Sequence, residues 1–161
     1  MSALRPPVLR RPNPARFAAD VEAATALFIA SRRAAMPWLR SVHTDAETAV
    51  WMRETVFPHH SVWLAEVEGE IVGLATRDGA WLANLYVKPG RTSQGIGSAL
   101  LGKVLTEAAM ITPMLRVFTF ARNVGARRFY ERHGFTLTAQ GDGSGNEERE
   151  PDVRYERPTR R

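Results

Sequence analysis

The 161-residue chain contains no cysteine. That removes disulfide frameworks, thiolate nucleophiles and Cys-based metal sites, while the length suffices to bury the core of a single domain, residues 1–161. Net charge is +5, but residues 1–16 and 157–161 together carry +7 and residues 17–156 carry −2. The arginine-rich ends are read as solvated termini, so nucleic acid is not an expected partner. No apolar run approaches a membrane span and the first residues lack a signal peptide's apolar core, so a cytoplasmic protein with no membrane partner is expected.

Leu4 to Arg11 is bounded by prolines and fits a short first strand. Ala15 to Ala35 reads as a helix with Phe17, Val21, Ala24, Leu27 and Phe28 on one face. Met36-Pro37-Trp38 ends it and opens a loop to Thr44. Thr44 or Asp45 caps a second helix reaching about Phe57. Ser61–Val67, Glu70–Arg77 and Ala80–Val87 form an antiparallel meander, with turns at Glu68-Gly69 and Asp78-Gly79. A third helix runs from about Gly95 to Met110, packing Leu100, Leu101, Val104 and Leu105. Leu115–Ala121 is a strand, Asn123 caps a helix to His133, and Gly134 closes it. Phe135–Ala139 and Asp152–Arg157 are the last strands, separated by a polar loop. These elements alone define an α+β protein.

The most informative stretch is residues 85–101. The strand ending Leu85-Tyr86-Val87 stops at Lys88-Pro89-Gly90, a polar loop follows, and a helix opens on Gly95-Ile96-Gly97-Ser98. Unpaired N–H groups at such a junction, backed by the helix dipole, make an anion seat. Glycines at 95 and 97 remove the Cβ atoms that would hold a ligand off the backbone. A P-loop needs lysine where Ile96 stands. A dinucleotide-binding turn needs a small residue where Leu100 stands. The remaining reading is the pyrophosphate loop of the GNAT acyltransferases, Q/R-x-x-G-x-G/A, which this stretch resembles. The Q/R position is occupied by Thr92, with Arg91 beside it.

A second pattern, Asn123-x-x-Ala126-x-x-Phe129-Tyr130-x-x-x-Gly134-Phe135, is similar to a recurring GNAT helix motif. Asn123, Ala126 and Tyr130 share one helix face and Phe129 turns to the core. The resemblance covers about residues 4–157. It implies the GNAT acyl-CoA N-acyltransferase fold, a three-layer α+β structure in the order βααβββαβαββ. A mixed central sheet of six or seven strands is flanked by about four helices.

The resemblance further implies an enzyme, an N-acetyltransferase moving an acetyl group from acetyl-CoA to an amine of a small molecule or peptide in a ternary complex. The runner-up is a CoA-binding regulatory module without turnover. Expected coenzyme A contacts are Leu85, Tyr86, Val87, Thr92, Ser93, Gln94, Gly95, Ile96, Gly97, Ser98, Asn123, Ala126 and Tyr130. Asn123 would bond the pantetheine or phosphate arm. A backbone N–H near Tyr86 or Val87 would receive the charge developing on the thioester oxygen. Tyr130 would protonate the leaving thiolate.

Some relatives carry a glutamate on the strand before the glycine loop. Here that segment reads Trp81-Leu82-Ala83-Asn84, which leaves His43, Asp45, His59, His60 and Asp78 as base candidates. Met36, Trp38, Trp63 and Trp81 are candidates for an apolar acceptor pocket, and Glu147-Glu148 for attracting a cationic amine. No metal site is expected. Domains of this kind often pair through terminal strands, which makes a homodimer the assembly to test.

Overall fold

The computed structural model describes residues 5–160. Strand β1 (Val8–Arg10) is shorter than expected, and Leu4 lies outside the described residues. A 3₁₀ turn (Pro14–Arg16), capped by the Asn13 side chain, leads into helix α1 (Phe17–Ala35). Helix α2 (Asp45–Trp51) opens on a full capping box, in which Thr44 and Glu47 satisfy each other's backbone N–H groups. It continues through a π turn (Met52–Val56) into one further turn, α3 (Phe57–His59). Pro58 has no N–H for the carbonyl of Glu54, and the helix widens just before it.

Strands β2 (Ser61–Val67), β3 (Glu70–Asp78) and β4 (Trp81–Val87) form the expected meander. The second turn falls one residue later than the sequence suggests, because Asp78 stays in the ladder opposite Trp81. Helix α4 (Ile96–Ala108), strand β5 (Met114–Phe120), helix α5 (Val124–Arg132) and strands β6 (Thr136–Gly141) and β7 (Asp152–Pro158) complete the chain. The sheet order is β1-β2-β3-β4-β5-β7-β6. Among the described residues only β4 and β5 pair in parallel.

The two faces of this sheet carry separate apolar cores. On one, Val21, Ala24 and Leu27 of α1, with Met52, Val56 and Phe57, cover Leu64 and Leu74. On the other, Leu100, Leu101, Val104 and Ala108 of α4 cover Val72, Ala75, Leu115 and Val117. Alternate strand residues point to opposite faces, so one sheet buries both sets. The result is the expected three-layer α+β architecture.

Candidate active site

The site originates where the sheet comes apart. Strands β4 and β5 pair only at Trp81↔Arg116. Beyond that point β5 continues its ladder with β7 while β4 stays with β3. A bulge adds to the divergence: Thr76 pairs with Asn84 and Arg77 with Leu82, which leaves Ala83 extra in β4. Lys88 N–H donates to the Val72 carbonyl at 2.8 Å. Antiparallel alternation therefore turns Tyr86 toward β3 and leaves the Leu85 and Val87 N–H groups facing the gap. Of the two expected oxyanion donors, Val87 holds the right edge and Tyr86 does not.

A cleft of about 1390 Å³ fills this gap and opens between α1, α2 and the β6–β7 loop. Leu85, Tyr86, Asn123, Ala126 and Tyr130 line it together, so two motifs separated in sequence meet on one wall. Tyr130 is 6% exposed. Its ring packs among Phe129, Phe135 and Tyr155, with centroids 5.4, 5.3 and 6.2 Å away. Its hydroxyl makes no hydrogen bond to the described residues. Burial, reinforced by the Tyr86 phenol, pushes its pKa well above that of free tyrosine. It therefore stays protonated and holds a donor toward the cleft. Asn123 caps α5 by accepting from Ala126 N–H at 3.3 Å, with its NH₂ group left over.

Residues Val87 and Thr92–Ser98 stand outside the cleft wall, at the far end of β4. Gly95 occupies the N-cap position of α4 at φ 80°, a conformation favouring glycine, and no side chain caps the helix. The first N–H groups of α4 are thus free of side-chain partners. Gly97 also has a packing role. A Cβ there would meet the Phe129 ring at 3.3 Å and Val87 at 3.7 Å. Its smallness lets α4 seat against α5 and β4. The Ser98 hydroxyl is also engaged: it bonds His133 Nε2 at 2.9 Å, while His133 Nδ1–H donates to the Phe129 carbonyl at 2.7 Å. Sequence reading missed this link between the two motifs, although an i,i+4 separation of Phe129 and His133 permits it.

Sequence reading also missed Arg32. Its guanidinium donates to the Tyr86 hydroxyl at 3.0 Å and pairs with Glu148 at 3.4 Å. Glu147 accepts from His43 Nε2 at 2.7 Å, and this contact raises the His43 pKa. Glu147 and Glu148 of the β6–β7 loop are therefore engaged by His43 and Arg32, which ties the loop down over the cleft. They are not the free carboxylates expected to draw in an amine.

Among the base candidates, His43 and Asp45 line the cleft, and Asp45 is held by Arg33 at 2.8 Å. His59, His60 and Asp78 do not line it. Of the proposed pocket residues, Met36 does. Trp63 instead packs under the Arg11 guanidinium at 3.9 Å, and Trp81 stacks on Phe118 at 4.8 Å where β4 and β5 part. Trp38 meets Phe120 edge-on beneath Arg122. Trp51 and Phe28, unremarked in sequence as cleft residues, supply the aromatic wall.

The architecture is thus an α+β fold whose sheet splits between two parallel strands, with a glycine-opened helix at one end of the split. Residues 58–137 match the family model described as "Acetyltransferase (GNAT) domain". The chain belongs to the GNAT superfamily. It is 29% identical over 79 residues to the N-acetyltransferase YafP of Escherichia coli (strain K12), a match spanning 49% of this chain and 48% of that protein. The chain thus spans about half the length of that relative. The fold is similar to that of a GCN5-related N-acetyltransferase from Rhodopseudomonas palustris, with a TM-score of 0.76 at 20% identity, covering 98% and 99% of the two chains. It is likewise similar to the PaiA N-acetyltransferase of Thermoplasma acidophilum in complex with coenzyme A, with a TM-score of 0.68 at 16% identity, covering 98% and 99%.

Proposed function

We propose that this protein transfers an acetyl group from acetyl-CoA to the amine of a small molecule or peptide, by direct attack with both substrates bound. The observation that carries the reading is Tyr130, a buried residue that lines the cleft and whose hydroxyl makes no hydrogen bond to the described residues. On this reading the Val87 N–H donates to the thioester oxygen as negative charge develops there during attack by nitrogen. Tyr130 O–H faces the sulfur as the C–S bond breaks. Free phenol and thiol pKa values differ by about 1.5 units and burial widens the gap, so Tyr130 acts chiefly by donating a hydrogen bond. The uncapped first turn of α4 holds the pyrophosphate, and the Asn123 NH₂ group holds the pantetheine arm.

The β4 segment supplies no carboxylate to the cleft, so an attacking amine loses its proton through cleft water, with His43 and Asp45 the base candidates on the cleft wall. Thr92 offers a hydroxyl and N–H to phosphate where relatives present Gln or Arg. Calorimetry with acetyl-CoA, followed by an amine panel assayed for thiol release, tests the reading. Binding with amine-dependent release is the expected result. Binding without release from any amine would favour the regulatory-module alternative, and absence of binding at millimolar concentration would reject both.

A further inference from the structure

Asn84 lies on β4 beside the Ala83 bulge, lines the cleft and is 7% exposed. Its Nδ2 donates to Thr76 Oγ1 at 2.8 Å, and Thr76 is fully buried. Thr76 Oγ1 lies 3.2 Å from His60 Nδ1. On the far side of that ring, His60 Nε2 faces the Asp78 carboxylate at 3.8 Å.

The direction of this chain follows from its end. The Asp78 carboxylate favours the tautomer that carries the proton on Nε2, which makes Nδ1 an acceptor. Burial lowers the His60 pKa against the pull of Asp78. Thr76 then donates to Nδ1, so its oxygen takes the Asn84 Nδ2–H. The amide is thereby fixed with Oδ1 as its free end, and that oxygen accepts no hydrogen bond from the described residues. Asn84 borders the cleft, so the cleft is the side from which that oxygen can take a donor.

We propose that Asn84 Oδ1 accepts a hydrogen bond from the attacking amine, and that Thr76, His60 and Asp78 hold it in that orientation. This rests on the acetyl-transfer reading above. A neutral primary amine has two N–H donors and one lone pair. Giving one N–H to Asn84 Oδ1 fixes the direction of the lone pair. The lone pair forms the new N–C bond as the C–S bond breaks and its electrons leave on sulfur. The sulfur takes a proton, and the nitrogen loses one to cleft water, because an amide oxygen is too weak a base to keep it.

The test uses the full chain with acetyl-CoA and the best amine of the panel. Asn84→Leu removes the acceptor, Thr76→Val frees the amide to rotate, and Asn84→Asp restores an oxygen. Asn84→Leu is expected to lower kcat/KM for the amine roughly 10- to 100-fold, as for loss of one strong hydrogen bond in the transition state, with Kd for acetyl-CoA within about twofold. Thr76→Val should give a smaller loss of the same kind, and Asn84→Asp should recover turnover toward the parent. An active parent whose Asn84→Leu variant keeps its amine kcat/KM overturns the proposal. If Asn84→Leu fails to fold, Thr76→Val with unchanged amine kcat/KM overturns it equally. A parent that acetylates no amine rejects the acetyl-transfer reading itself, and this inference with it.

Discussion

Replacing Tyr130 by phenylalanine separates chemistry from packing with a single atom. The ring keeps its neighbours Phe129, Phe135 and Tyr155, and only a hydroxyl without a hydrogen-bond partner among the described residues is lost. Stability should therefore change by less than about 1 kcal/mol, which moves the melting temperature by no more than about 4 °C in a domain of this size. Turnover should respond far more. A hydrogen bond to a group gaining negative charge contributes about 1.5–3 kcal/mol, so kcat should fall roughly 10- to 150-fold. Full proton transfer would permit a larger loss, but the burial that raises the phenol's pKa makes that transfer uphill. Thiol release at saturating acetyl-CoA, thermal melting and calorimetry on the same preparation measure all three quantities. Unchanged kcat would remove Tyr130 from the reaction. A melting point lowered by far more than 4 °C would show that the hydroxyl has a structural partner instead.

Gly97→Ala and Gly97→Val should diverge. A Cβ at 3.3 Å from Phe129 asks for a shift of tenths of an ångström, offset by about 1 kcal/mol of helix propensity, so Ala should melt near the parent. Val adds two methyl groups at the same contact and should cost about 1–3 kcal/mol, read by urea denaturation; equal midpoints for Val and parent would discount the contact. Glu107 is partly buried, which raises its pKa, but hydrogen bonds from Ser61, Arg77 and Arg11 outweigh that and hold it down at about 2. Because the folded pKa is depressed, this contribution is present above pH about 4.5 and lost as pH falls toward 2. Its size is on the order of 2 kcal/mol after solvent screening. Glu107→Gln should flatten the acid limb of a stability–pH curve between pH 5 and 2, and a limb identical to the parent's would refute the assignment. Thr44→Ala, which removes one half of the α2 capping box, should cost about 1 kcal/mol of unfolding free energy in urea titration.

The parts legible in sequence are those whose signals are local. The Thr44 cap, the Glu68-Gly69 turn, the glycine-opened α4 and the Asn123 cap each depend on residues a few positions apart, and all stand where the residue types put them. The convergence of Leu85, Asn123 and Tyr130 was legible only through resemblance to a family, since nothing local brings β4 and α5 together. What escaped reading depends on side chains meeting across the sheet. Gly97 faces Phe129, an approach set by two helices docking. Glu147 and Glu148 find His43 and Arg32 only because the β6–β7 loop folds back over α1 and α2. Trp63 and Trp81 are aromatic in the right region, but Trp63 is under Arg11 and Trp81 is stacked on Phe118, and neither lines the cleft.

The central claim is that the β4–β5 cleft joins acetyl-CoA to an amine. It is tested most directly by measuring thiol release from saturating acetyl-CoA as a function of amine concentration, with the product's mass recorded. The account predicts saturable, amine-dependent release matched by an equal amount of N-acetylated amine. Release that is independent of every amine offered, or no release at all, would contradict it.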